Sequence, residues 1–138
     1  MIAVSHLEAK DFQQGQLKSV FPEVYELQKV IENTKSGSHK NQNAFEHTLL
    51  VFTHLKTALK TMRLSNQRTK KVLNVLAERI QNYDCWQLLL YAALLHDIGK
   101  KSVLRKDGVF TDAGGHEDKS AELLPKMKFR FGFGAQDL

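Results

Sequence analysis

Between Cys85 and Asp97 the chain carries no Asp, Glu, Lys or Arg, and Leu88 to Leu95 is uninterrupted apolar sequence. That run is less than half as long as a membrane-spanning helix requires, so other parts of a soluble fold have to cover it. Asp84 and Gln87 stand three residues apart, the capping-box spacing that opens a helix. We therefore expect a helix from about 86 to 98 and expect it to be the most buried element. Ala92 and Ala93 lie a turn before His96 and Asp97, which would let a partner helix approach closely. An ionisable pair at the end of such a helix is costly, because a buried charge must be paired or bound to metal. Asp97 can be offset by capping backbone, by Lys100 or Lys101, or by a divalent ion shared with His96. Imidazole nitrogen and carboxylate oxygen suit Zn, Mn, Fe, Ni or Co, whereas Mg depends more on oxygen ligands.

The rest of the chain reads as helices joined by polar turns. Pro22 suits a first helical turn, and Val24, Leu27, Val30 and Ile31 follow at helical spacing, so a helix is expected near 22–33. The polar stretch up to Asn41 reads as a loop. Asn43 and Glu46 repeat the capping-box spacing before a stripe of Phe45, Leu49, Phe52, Leu55, Leu59 and Met62. His47, Leu50, Val51, His54 and Ala58 lie on a neighbouring face, which predicts a central helix with His47 turned inward and His54 a core histidine. Further helices are expected at 69–81 and at about 117–127, with Pro125 able to end the latter early. No series of alternating strands is visible, and the expectation is an all-α helical bundle.

With 138 residues, 42% apolar and 25% charged, the chain suits one globular domain rather than a disordered segment. The start, Met1-Ile2-Ala3-Val4, runs into Glu8, Lys10 and Asp11 without an apolar leader, so a cytoplasmic location without membrane contact is expected. The lone Cys85 cannot form an internal disulfide and reads as an inert thiol. A formal charge of +5 is modest, but Lys56, Lys60, Arg63, Arg68, Lys70 and Lys71 lie close in sequence and are candidates for a basic surface.

Three strings decide how the His-Asp pair is read. Glu46-His47-Thr48-Leu49-Leu50 and Leu94-Leu95-His96-Asp97-Ile98-Gly99-Lys100 resemble the first two signatures of the HD superfamily of phosphohydrolases, in its HDIG variety. The stretch Gly115-His116-Glu117-Asp118-Lys119-Ser120-Ala121-Glu122-Leu123, continued by Lys128-Phe129-Arg130-Phe131, resembles the following segment in the HD domains of bacterial tRNA nucleotidyltransferases. The resemblance implies a helical, divalent-metal-dependent hydrolase of phosphomonoesters or phosphodiesters, nucleotides among them. It implies His47, His96 and Asp97 as metal ligands. The family's further aspartate would be Asp137, would fall in last helices that this sequence stops short of, or would be missing from the site. Lys100 and His116 are the candidates for contact with the phosphoryl group, beside Asp97, and His116 is also a candidate ligand for a second ion. Glu46 reads as a capping partner rather than a base. The alternative is a metal-stabilised accessory module that holds RNA backbone on its basic residues without turnover; no Gly-rich nucleotide loop or paired acidic motif points to nucleotide addition.

Overall fold

The computed structural model describes residues 3–62, 67–80 and 82–132. The chain forms α1 (Ala9–Gln13), α2 (Pro22–Glu26), β1 (Ile31–Glu32), β2 (Gln42–Asn43), α3 (Ala44–Met62) and α4 (Gln67–Ala77). It continues through β3 (Arg79–Ile80), β4 (Tyr83–Asp84), α5 (Cys85–Leu95), α6 (Lys100–Val103), β5 (Arg105–Asp107), β6 (Phe110–Asp112) and α7 (His116–Phe131). Helix predominates, as expected, but the described residues also contain three two-stranded antiparallel ladders, β1–β2, β3–β4 and β5–β6, that the all-α expectation left out.

The most consequential departure lies at 22–33. Pro22 opens α2 as anticipated, yet the helix gives way to a 3-10 turn at Leu27–Lys29 and then to β1. The β-branched Val30-Ile31 pair favours extended backbone, and Ile31 and Glu32 pair with Asn43 and Gln42. Helical spacing turns Ile31 inward; in the ladder Ile31 is 44% exposed and Glu32 is buried. The polar loop between these strands thus closes a hairpin, with Asn41 at φ 50° and Gly37 at φ 75° making its turns.

Helix α3 starts where Asn43 Oδ1 accepts from the backbone amides of Phe45 and Glu46, at 3.0 and 3.3 Å. It packs along α5, and its Phe45 and Phe52 rings meet Tyr25 and Phe12 in the core. The second stripe is narrower than its spacing suggests. Leu50, His54 and Ala58 are exposed, so His54 is not a core histidine. The groups that cover His47 come from the β1–β2 hairpin and the end of α5 and do not reach two turns further along α3.

Both hydrogen bonds of the Asp84–Gln87 capping box are present at the start of α5. Leu90, Tyr91, Ala93, Leu94 and Leu95 are buried, and all but Ala93 join Phe12, Phe21, Tyr25, Phe52 and Phe131 in an aromatic-rich core. α5 ends at Leu95 rather than near 98, because the turn over 96–99 is captured from the side. Ser120 Oγ donates to the His96 carbonyl at 2.8 Å and accepts from the Gly99 amide at 2.9 Å. The close approach lies at Gly99 and not at the alanines: Ala92 is exposed, whereas a Cβ on Gly99 would sit 2.5 Å from the His116 carbonyl oxygen and 2.6 Å from the Ser120 amide. The N-terminal turn of α7 is thereby fixed against the His96-Asp97 turn. α7 runs through Pro125 to Phe131, longer than expected. Pro125 and Ala121 are exposed, so the carbonyl left without an amide partner is on the wet side of the helix. The β5–β6 hairpin docks on β1, with the Asn33 amide donating to Thr111 Oγ1 at 2.6 Å and the Thr111 amide to the Asn33 carbonyl at 2.9 Å. Among the described residues no helix is long and apolar enough to cross a membrane.

Candidate metal centre

α3 supplies His47, the turn after α5 supplies His96 and Asp97, and these three groups each offer an atom within 4.8 Å of one another. The His47 and His96 rings lie 5.9 Å apart, centre to centre. His116, the first residue of α7, brings Nε2 to 3.3 Å from Asp97 Oδ1, and His96 Nε2 lies 3.2 Å from Asp97 Oδ2. Asp97 itself is 1% exposed.

Each imidazole is held from behind through Nδ1. His96 Nδ1 meets the Ala93 carbonyl at 2.9 Å, and His116 Nδ1 meets the Ala113 carbonyl at the same distance. A carbonyl can only accept, so both rings carry their proton on Nδ1 and present Nε2 as a lone pair when neutral. His47 Nδ1 is held at 3.2 Å by the side-chain amide of Gln42, whose other end meets His39 Nδ1 at 2.5 Å. The amide nitrogen is the end that faces His47, so it donates to Nδ1; turned over, the amide would accept from Nδ1–H through its oxygen and leave Nε2 of His47 as a lone pair for an ion. Gln42 and Glu32 are partners across the β1–β2 ladder. Glu32 reaches the same cluster: its Oε2 accepts from Lys100 Nζ at 2.8 Å, and Lys100 Nζ lies 2.9 Å from Asp97 Oδ2.

Burial opposes charge on every one of these groups, and the neighbours decide which keep it. Burial lowers the His47 pKa, with Lys100 and His96 adding to it against the pull of Asp97, so the imidazole is neutral near pH 7. For His96 burial is again the largest single influence and works the same way, but the nearby Asp97 and the Ala93 carbonyl together outweigh it and raise the pKa. Burial would raise Asp97, yet His96 and Lys100 bring it down to about 2. Burial would lower Lys100, and Glu32 and Asp97 reverse that. Asp97 Oδ2 nevertheless has no aligned hydrogen-bond donor: the ammonium is close enough for charge attraction only. A buried, ionised oxygen of this kind beside two imidazoles fits a divalent cation in donor chemistry as well as in position.

No family model, curated protein or solved structure matches this chain. The site therefore rests on its own geometry. That geometry joins His47, His96, Asp97 and His116, four of the residues singled out in the sequence, while Asp137 lies outside the described residues. Lys100 does not face solvent; it is 4% exposed and held by two carboxylates. The exposed pairing belongs to Lys101, which reaches Glu26. Glu32, Gln42, His39 and Ser120 were not foreseen. The only trace of Glu32 in the sequence is an acid next to Ile31 in an otherwise apolar rhythm, and nothing marks Gln42. Of the basic run, Arg63 lies outside the described residues, and Lys56 is engaged by Glu8 at 2.9 Å.

Proposed function

We propose that the chain is a divalent-metal-dependent phosphohydrolase domain of the HD type, acting on a phosphomonoester or phosphodiester such as a nucleotide. The observation that carries this reading is the buried Asp97, ringed by imidazoles whose Nδ1 atoms are already engaged. Histidines placed for packing alone have no need of such support, whereas metal-ligating histidines commonly have it. His47, His96 and Asp97 would hold the ion, which supplies Lewis acidity toward a phosphoryl oxygen and an acidified water as nucleophile. His96 and Lys100 keep Asp97 ionised, and Glu32 holds the Lys100 ammonium in place. His96 and His116 remain partly exposed, so substrate would meet the cluster from their side, and a protonated His116 would donate from Nε2–H to a phosphoryl oxygen. Lys100, anchored away from solvent, adjusts the charge of the site instead of meeting the phosphate directly.

The test is elemental analysis of the purified chain, followed by a phosphatase and phosphodiesterase screen across added Mn, Ni, Co, Fe, Zn and Mg, with Asp97→Asn alongside. The expected result is bound ion and ion-dependent turnover in the parent, and neither in the variant, whose amide keeps the size but loses the charge. Equal metal content and rate in Asp97→Asn would refute the reading.

A further inference from the structure

We propose that Lys100 is an internal counter-ion held for exchange, and that Glu32 is the positioning residue that receives it. The ammonium shares Asp97 in the metal-free protein and moves wholly onto Glu32 when a divalent cation takes the carboxylate. This rests on the metal reading above and goes beyond it, since neither residue is a ligand.

The ammonium lies within reach of both carboxylates, 2.8 Å from Lys100 Nζ to Glu32 and 2.9 Å to Asp97. The side chains of Lys100, Glu32 and Asp97 are 4%, 6% and 1% exposed, so water does little to screen them. The two contacts differ in kind. Glu32 accepts an aligned hydrogen bond, whereas the approach to Asp97 Oδ2 lacks that alignment, so the ammonium is anchored on Glu32 and leans toward Asp97. A lysine needed only to neutralise Asp97 would not require a second buried carboxylate. A lysine that must release Asp97 does require one, because an unpaired buried ammonium is several kcal/mol uphill. A fixed ammonium beside the coordinating oxygen would also repel an incoming cation strongly in a poorly screened site. Glu32 is set in the β1–β2 ladder opposite Gln42, so its carboxylate stays in place while the flexible lysine arm swings.

The test is calorimetric titration of Mn²⁺ into the whole chain as the parent, Lys100→Met, Glu32→Gln and the double variant, with thermal midpoints in chelator and in excess Mn²⁺. Lys100→Met should bind on the order of tenfold more tightly, because the competing charge is gone. Its midpoint should fall in chelator and gain more from the ion than the parent does. Glu32→Gln should bind on the order of tenfold more weakly, since the ammonium then has only Asp97. Adding Glu32→Gln to Lys100→Met should leave the tighter affinity unchanged within a few fold; this comparison holds even where Glu32→Gln alone does not fold. Weaker or equal binding by Lys100→Met, or a Glu32→Gln defect that persists without the lysine, would overturn the exchange while leaving the metal site standing. A parent that binds no Mn²⁺ and holds no other ion would remove the metal reading and this inference together.

Discussion

Once its amide is turned over, Gln42 would do for His47 what backbone carbonyls do for His96 and His116, and it is a side chain that can be removed. Its amide lies between His39 Nδ1 and His47 Nδ1, so one orientation donates to His47 and the other accepts from it. The accepting orientation places the proton on His47 Nδ1 and frees Nε2 for an ion, with the amide nitrogen then donating to His39. We predict that Gln42→Ala lowers metal affinity by about 10–100-fold while leaving the far-ultraviolet circular dichroism unchanged. Chelator competition against the parent measures this, and an unaltered affinity would strip Gln42 of its orienting role. Replacing Gln42 by Glu should retain most of the affinity, because a carboxylate accepts the same Nδ1 proton.

The site is assembled by short elements that hold long ones in register. Ser120 ties α7 to the turn after α5 with two hydrogen bonds, and Gly99 allows the backbones to meet there. Ser120→Ala leaves a buried amide and a carbonyl without their partner and should cost about 1–3 kcal/mol in chemical denaturation. Gly99→Ala should cost a similar ~1–3 kcal/mol, because its Cβ meets backbone that cannot yield without moving α7. It should also weaken metal binding, since His116 leads that helix; a Gly99→Ala protein as stable as the parent would mean that the contact relaxes at no cost. What was legible in the sequence follows the same division. The Asp84–Gln87 cap, the start of α3 and the grouping of His47 with His96-Asp97 rest on local spacing and on signature strings, and the structure brings those residues together. Glu32 and Gln42 rest on pairing across a hairpin, and Glu32 meets Lys100 across 68 residues of chain. Local periodicity carries no trace of such a contact. At 22–33 the apolar spacing served a helix and a helix-then-strand equally, and the ladder partner decided between them. At His54 the face was identified correctly and its cover was not, because cover comes from other elements.

Across the whole molecule, the core depends on aromatic rings that carry hydroxyls. Tyr25 and Tyr91 are buried, and burial raises both pKa values above the ordinary ~10 of a tyrosine. A folded value above the unfolded one means that the stabilisation is complete below the unfolded pKa and disappears as pH rises through the folded value. Stability should therefore decline above about pH 10. The Tyr91→Phe variant should lose less between about pH 8 and 11 than the parent does, in urea midpoints measured at both. Equal losses would assign the alkaline limb to other groups. The hairpin contact across 68 residues bears on synthesis as well as on stability. A ribosome releases Glu32 and Gln42 long before Lys100, and the helix bearing His116 later still. A partly made chain offers scattered imidazoles and no enclosed carboxylate, so it has little hold on a divalent ion. An ion that binds only the finished fold adds its binding energy to the native state alone. On the metal reading, uptake would then come last and act as a latch on a chain that has already found its shape.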